Sequence, residues 1–537
     1  MNKLFTQLVE KRGLTDDFLN PKYENLTPPQ EMPDLEPAIK RIKKALRGDE
    51  KILIYGDYDV DGVTATTLMD EALRLSGVKA ENIILMLPDR FIDGYGMSPR
   101  LLNRAKKEGV SLVITVDCGS RNFEIVDELK KLNIDTIITD HHECEEKLPA
   151  AVAVINPKRK DFTGPAKLKE LAGVGVAFKL ASGLKDAGLI ENGQEKWLLD
   201  LVLIGTICDS MNLTGENRIL SFYGVKVLEK TRRKGLKELM KKAKVTKITS
   251  EAIGFQIGPR LNAAGRLETA ELSLKLLRTK SSTEAAAIAE ELETLNNNRR
   301  AAQREATAEI AKRGINSDPV IIETGNWHEG VLGIVAGRLV ETYEKPAFVL
   351  TETENGILKG SGRSFGEFNL AEALKNAEDT ILGGGGHLAA AGVKLEKEKL
   401  PLFTAKINDY YKSLHLTDQT RYLKKSPDLN LDSPSELSLD FLDDLARLEP
   451  FGSGNEEPLF CLKNANILGT SRMGKDGNHL RLDVRSDDDK PFKCIAFSAP
   501  ENWFDLDPAA TYDLLVRPEI NEFRGVRSPE AYLLDVI

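Results

Sequence analysis

Between residues 50 and 140, short apolar runs alternate with longer amphipathic stretches. Lys51–Tyr55, Ile83–Leu87, Leu112–Val116 and Thr136–Thr139 read as buried strands, and Val63–Ser76 and Phe123–Leu132 as helices. This alternation predicts α/β architecture, a doubly wound parallel sheet whose ligand crevice lies beyond the carboxyl ends of the strands. A mostly helical stretch follows from Glu170 to Thr279. Residues 282–313, rich in Ala, Glu, Arg and Gln and poor in breakers, predict one long helix linking two domains. A second α/β unit opens at Pro319-Val320-Ile321-Ile322 and runs to His415. The last segment alternates with period two, as in His479-Leu480-Arg481-Leu482-Asp483-Val484-Arg485, and predicts a small antiparallel barrel or sandwich. The chain then divides into a lead-in (1–45), the first α/β unit (46–280), the connecting helix (281–315), the second α/β unit (316–415), an acidic helical linker (416–450) and the β domain (451–537).

Composition narrows the class without naming it. A hydrophobic fraction of 41% and a charged fraction of 29% describe a soluble globular chain. No apolar stretch approaches a membrane span, and the N-terminus has no signal-peptide core. Cys118, Cys144, Cys208, Cys461 and Cys494 form no Cys-x-x-Cys pair, which fits reduced thiols in a cytoplasm and weighs against structural zinc. A net charge of −9 argues against a nucleic-acid partner, but the charge is segregated. Lys226–Lys247 holds ten Lys/Arg against two acids, while Asp428–Glu449 holds seven acids against Arg447. The basic run alone reads best as a solvated helix face. Acids that bind divalent metal would also lower the total without repelling phosphate.

The acids that matter follow the strands. After the first comes Gly56-Asp57-Tyr58-Asp59-Val60-Asp61-Gly62, which superficially resembles a calcium loop. A calcium loop needs an acid at its twelfth position, here Leu68, so that reading fails. Carboxylates crowded between a buried strand and a helix start repel one another unless a cation offsets them. The third strand ends in Asp117, the fourth in Asp140-His141-His142, and a later apolar run ends in Asp209. One acid after a strand is commonly a helix cap; four such sites with a histidine pair are not explained by capping. Neighbouring strand residues point to opposite faces, so one imidazole can grip a metal while the other is aimed elsewhere. Mixed Asp and His ligands suit Mn²⁺ or Mg²⁺, and enough ligands for two ions, roughly 3.5–4 Å apart, is the arrangement that activates water against phosphoesters.

Asp-x-Asp-x-Asp-Gly, the Asp after the next strand, Asp-His-His and Asp209 together resemble the motifs of the DHH phosphoesterase superfamily. Gly383-Gly384-Gly385-Gly386-His387 resembles its companion DHHA1 domain. Pro259–Leu267 (PRLNAAGRL) and Glu449–Asn455 (EPFGSGN) resemble segments of the RecJ family of 5′→3′ exonucleases specific for single-stranded DNA, whose domain order, ending in an OB-fold, covers nearly the whole chain. One stretch departs: Cys208-Asp209-Ser210-Met211-Asn212-Leu213 stands where the family pattern is Ala-Asp-Val-Val-Pro-Leu, which keeps the acid and puts the packing of the loop in question.

The resemblance implies roles. Asp59 and Asp117 would hold one metal, with Asp57 beside them; Asp61, His141 and Asp209 would hold the other, and Asp117 would bridge the pair. His142 would face the scissile phosphate as an acid, with Asp140 orienting a histidine. Water activated between two Mn²⁺ or Mg²⁺ ions is the expected nucleophile. Arg90, Ser361 and Arg363 resemble a pocket for a 5′-terminal phosphate; Arg90 equally suits a surface ion pair with Asp89 or Asp93. Arg260, Asn262 and Arg266 suit the floor of a single-strand channel, and His328 either contacts substrate or structures a turn. His387 is the polar candidate of the glycine-rich turn. In the terminal domain Phe451 and Phe460 read as core, and Arg472, Lys475, Arg481 and Arg485 as phosphate contacts. The implied activity is hydrolysis of single-stranded DNA to 5′-mononucleotides in repair and recombination, by a cytoplasmic monomer supplied by a helicase and a single-strand-binding protein. Two alternatives are a DHH phosphodiesterase for oligoribonucleotides or cyclic dinucleotides, and a catalytically silent replication scaffold. The OB-fold argues against the first and the intact ligand set against the second.

Overall fold

The computed structural model describes residues 2–94, 96–353, 356–416, 426–487 and 491–537. Five parallel strands form the first sheet: β1 (Ile52–Tyr55), β2 (Ile83–Met86), β3 (Leu112–Val116), β4 (Asp135–Thr139) and β5 (Ala153–Ile155), in the order β2-β1-β3-β4-β5. Alternate residues of each strand feed two cores. Ile52, Ile54, Ile114 and Ile137 pack under the helices Val60–Leu75, Gly173–Asp186 and Leu199–Cys208. Leu53, Tyr55, Val113 and Ile138 pack on the other side under Pro99–Glu108 and Phe123–Lys131. Both faces are covered, which is why the strands read as near-continuous apolar runs rather than as alternating ones.

The first helix begins at Val60 rather than Val63, because Asp59 caps it: Asp59 Oδ1 accepts the Gly62 N–H at 3.0 Å. Asp61 thereby sits in the first helical turn. The predicted long helix is Ser282–Arg313. Its first half buries Ile288, Leu292 and Leu295 in the core of the first domain, and its second half buries Ala306 and Ile310 in the next domain. That domain is a mixed sheet of β6 (Ile321–Gly325), β7 (Ala347–Glu352), β8 (Ile357–Arg363), β9 (Gly383–Gly386) and β10 (Ala390–Glu396), ordered β6-β7-β8-β10-β9.

The last domain contains β11 (Leu429–Leu431), β12 (Phe460–Met473), β13 (His479–Val484), β14 (Phe492–Ala496), β15 (Thr511–Phe523) and β16 (Val526–Val536), and pairing of β12 with β15 closes it into a barrel. The stretch expected as an acidic linker over 416–450 is corrected here for its described part; residues 417–425 lie outside the described residues. β11 pairs with β12, and Leu431, Leu437, Phe441, Leu442, Leu445 and Leu448 enter the barrel core. The acids that suggested a linker, Asp432, Glu436, Asp440 and Asp443, occupy the exposed face of the same segment. The lead-in is likewise shared out. Leu4, Phe5, Leu8 and Leu19 join the barrel core, whereas Met32, Leu35 and Ile42 join that of the first domain. Among the described residues no helix is long and apolar enough to cross a membrane.

Candidate active site

Three strand ends and one helix end deliver the acids. β1 runs into Asp57, Asp59 and Asp61, β3 into Asp117, and β4 into Asp140-His141-His142. Asp209, expected after an apolar run in a mostly helical stretch, caps the C-terminus of the helix Leu199–Cys208. Asp117 has a φ of 62°, the left-handed region that Asp tolerates better than most residues. Its carboxylate lies so close to Gly173 that a Cβ there would stand 2.4 Å from Asp117 Oδ1. Gly173 also opens the helix Gly173–Asp186, whose first amides hold Asp61: Gly173 N–H donates to Oδ2 at 2.6 Å and Val174 N–H to Oδ1 at 2.9 Å. Nothing in Leu171-Ala172-Gly173-Val174 marked this role in the sequence.

His141 Nε2 stands 3.2 Å from Asp117, 3.5 Å from Asp209 and 3.9 Å from Asp61. The structure assembles the sets Asp57–Asp59–Asp117, Asp61–His141–Asp209 and Asp117–His141–His142, each with ligand atoms within 4.8 Å of one another. The expectation that the two imidazoles face opposite ways is corrected. β4 stops at Thr139, so strand alternation does not apply, and the rings lie edge to face with centroids 4.5 Å apart.

Burial, and next the charge of Asp59, pushes the Asp61 pKa up to about 7. Burial and Asp61 push Asp209 up to about 8, and burial with the surrounding acids raises Asp117 well above the usual carboxylate range. Asp57 is raised by burial and Asp59. Burial, then the His142 charge, lowers His141 to about 3, leaving a neutral imidazole able to bind metal. For His142 burial acts downward, but the hydrogen bond and charge of Asp140 outweigh it and hold the pKa up at about 9. Asp140 is tied on both oxygens: Oδ1 accepts the His141 and His142 amides (2.7 and 3.1 Å) and faces His142 Nδ1 at 2.8 Å, and Oδ2 accepts the Ser120 N–H at 3.0 Å. Buried Asn156, which sequence reasoning passed over, donates to Ser120 Oγ and to the His142 carbonyl, both at 2.9 Å.

The donor set fits divalent metal. Asp117 Oδ1 is buried without a hydrogen-bond partner among the described residues. Carboxylates that raise one another's pKa are relieved by a shared cation, and mixed carboxylate and imidazole donors suit Mn²⁺ or Mg²⁺.

A second, opposite electrostatic centre borders the first. Arg90 lies over the Tyr58 ring at 5.1 Å and has no ion-pair partner among the described residues. The anions once open to it are engaged elsewhere, Asp93 by Arg100 at 2.6 Å and Asp89 by the Phe91 and Ile92 amides. Burial, then Arg90, Arg299 and Arg363, pushes the Arg266 guanidinium down to about 9, and burial with Arg90 lowers Arg363. Arg363 Nη1 donates to Ser361 Oγ at 3.1 Å, and Gly333 packs against both side chains. His328 meets Phe91 edge to face at 5.5 Å and turns its own backbone through the Gly330 N–H.

Some expected residues are not brought here. Arg260 is corrected: it is buried, ion-paired with Glu293 of the long helix, and donates to the Gln256 carbonyl, so it braces helices rather than lining a channel. His387 is exposed in the β9–β10 turn, its Nδ1 accepting the Ala389 N–H, with no bond to the metal centre among the described residues. In the barrel, Phe460 is core, but Arg472 pairs with Glu501 and Arg481 with Asp483. A cleft of about 1680 Å³ runs from Ser210, Asn262 and Arg266 past Phe255 to Phe497 and Tyr532 of the barrel. Phe255 and Phe497, exposed large aromatics on its walls, carried no signal in the sequence because a lone Phe reads as core.

The sheet, its covering helices and the acid–histidine centre define a DHH-type protein. The DHH family, N-terminal domain, matches residues 51–206, the DHHA1 domain 317–413 and the RecJ OB domain 428–535. The single-stranded-DNA-specific exonuclease RecJ of Bacillus subtilis (strain 168) is 35% identical over 99% of this chain and 67% of its own length. The protein of the same name from Escherichia coli (strain K12) is 34% identical over 98% and 94%. RecJ from Thermus thermophilus in complex with Mn²⁺ superposes with a TM-score of 0.84, at 29% identity over 99% of this chain and 75% of that one. Its Mg²⁺ complex gives 0.79, at 27% identity over 100% and 74%. The chain belongs to the RecJ family.

Proposed function

We infer that this chain is a metal-dependent exonuclease of single-stranded DNA that works from the 5′ end and releases 5′-mononucleotides. One observation carries the polarity: Arg90, with no ion-pair partner among the described residues, lies close to Arg363, itself bonded to Ser361, and within electrostatic reach of Asp57 in the acid centre. A terminal phosphate has the charge and the acceptor oxygens for these arginines, and its seat there would leave the next phosphodiester at the acids. Asp57, Asp59 and Asp117 would hold one cation and Asp61, His141 and Asp209 the other. When bound, such a pair supplies Lewis acidity and lowers the pKa of water. The chain's own groups do the rest. His142, held protonated by Asp140, is placed to give a proton to the departing 3′ oxygen, and Asn156 and Ser120 fix the Asp140–His142 pair. Asn262 and Arg266 would carry the following nucleotides into the cleft, where Phe255 and Phe497 offer faces for base stacking.

The division of labour follows the domains: metal chemistry in 46–280, end recognition shared with 316–415, and strand holding by the barrel. The five cysteines are all free, which supports a cytoplasmic setting, where a helicase would expose the single strands. The test is digestion of end-labelled single-stranded DNA and RNA, each blocked at one end, with Mn²⁺. Mononucleotides from unblocked 5′ ends of DNA are expected; release from 3′ ends would defeat the polarity, and equal use of RNA the substrate class.

A further inference from the structure

The segment Glu449–Asn455 matches the family by sequence, yet the proposed chemistry gives it no task. It is a loop of the barrel domain held against the catalytic domain. Buried Asn455 closes it by donating to the Leu448 and Pro450 carbonyls at 2.9 and 3.0 Å. Arg218, buried in the catalytic-domain helix Gly215–Glu229, donates to the carbonyls of Arg447, Leu448 and Glu449 at 2.9, 2.9 and 2.7 Å. The far side of the loop grips the chain just after Asp209. Leu213 N–H donates to the Ser453 carbonyl at 2.7 Å, and Ser453 Oγ donates to Asn212 Oδ1 at 2.9 Å. Asn212 Nδ2 in turn donates to Glu170 at 2.8 Å. The contact is close: a Cβ on Gly452 would stand 2.7 Å from Leu213, and one on Gly454 3.2 Å from Asn212.

Only Ser210, with a φ of 56°, and Met211 separate Asp209 from this clasp. So short and conformationally restricted a link transmits a shift of the clasp to the carboxylate. The clasp also lies where the sequence departs from Val-Val-Pro: Asn212 provides both the acceptor for Ser453 and the donor to Glu170, which a proline could not.

We propose that the loop Glu449–Asn455 is a strut for Asp209, with Ser453 and Asn212 as positioning residues, so that metal retention in the catalytic domain depends on the seating of the barrel. This rests on Asp209 being a metal ligand. The test uses full-length Ser453→Ala and Asn212→Ala, titrated calorimetrically with Mn²⁺ without DNA and then assayed on single-stranded DNA. A loss in Mn²⁺ affinity and in kcat of about 10-fold each is expected, with KM unchanged, as for groups that hold metal ligands in place. Ser453→Thr, which keeps the hydroxyl, should restore both. Wild-type Mn²⁺ affinity in both variants, or a raised KM with unchanged kcat, would overturn the strut. Asp209→Asn is the parallel arm. Wild-type Mn²⁺ binding by that variant means the ligand assignment has failed; weakened binding by it alone removes only the strut.

Discussion

Two clusters of opposite charge lie side by side in this protein, and they are built differently. The acid centre draws its carboxylates and imidazoles from one domain, on the ends of β1, β3, β4 and one helix, with most of them buried. The arginine cluster is assembled from two domains, Arg90 and, on the helix Gly258–Leu267, Arg266 on one side and Ser361 and Arg363 on the other. Each is electrostatically incomplete alone. Like charges gathered in a low-dielectric site raise the energy of the ligand-free protein, and a ligand of opposite charge recovers it. Rigid strand ends suit ions that demand fixed geometry; an interdomain seat suits a strand that must advance after each cut.

The largest effect expected from breaking this contrast is Asp117→Ala. Its kcat should fall by roughly 10³-fold or more, since one carboxylate serves the centre of the acid cluster. Preference for a 5′-phosphorylated end should survive, and single-turnover assays on phosphorylated and unphosphorylated strands would check both. Arg363→Ala should do the converse: the preference for 5′-phosphate over 5′-hydroxyl drops by about 10-fold, the worth of a charge-assisted hydrogen bond, while Mn²⁺ affinity holds. If the preference is unchanged, the arginines belong to the domain interface and not to the strand end.

The smallest effect is thermodynamic. In the metal-free protein Asp61 and Asp209 titrate near 7 and 8, far above the ordinary 3.8. The folded state then holds protons that the unfolded chain has released, so stability falls as pH rises through that interval. The chelator-treated protein should melt several degrees lower at about pH 8 than at about pH 5.5, and Mn²⁺ should close the gap. A midpoint insensitive to both pH and metal would mean that the acids are not a strained, cation-demanding cluster.

Much of this was legible in the chain. Runs such as Leu112–Val116 announce buried parallel strands because both faces are covered, and the acids after them announce the crevice because strand ends converge there. Residues 282–313 form the predicted helix because strong helix formers without breakers favour it locally and its two halves also pack into two domain cores. Less legible were residues whose task is set by a partner distant in sequence. Arg260 looked like a channel cation and pairs with Glu293; nothing around Gly173 announced that it makes room for Asp117, and nothing around Phe255 that it lies on the cleft wall.

The sequence by itself determined the strands, the long helix, the acid–histidine set and the order of the domains, since periodicity and motif spacing are local properties of the chain. Only the tertiary structure decided which carboxylates come within ligand distance of one another, which arginines lack an ion-pair partner among the described residues, and that a barrel loop grips the residues after Asp209. Those are matters of distance between segments far apart in the chain, set by packing that no local pattern encodes.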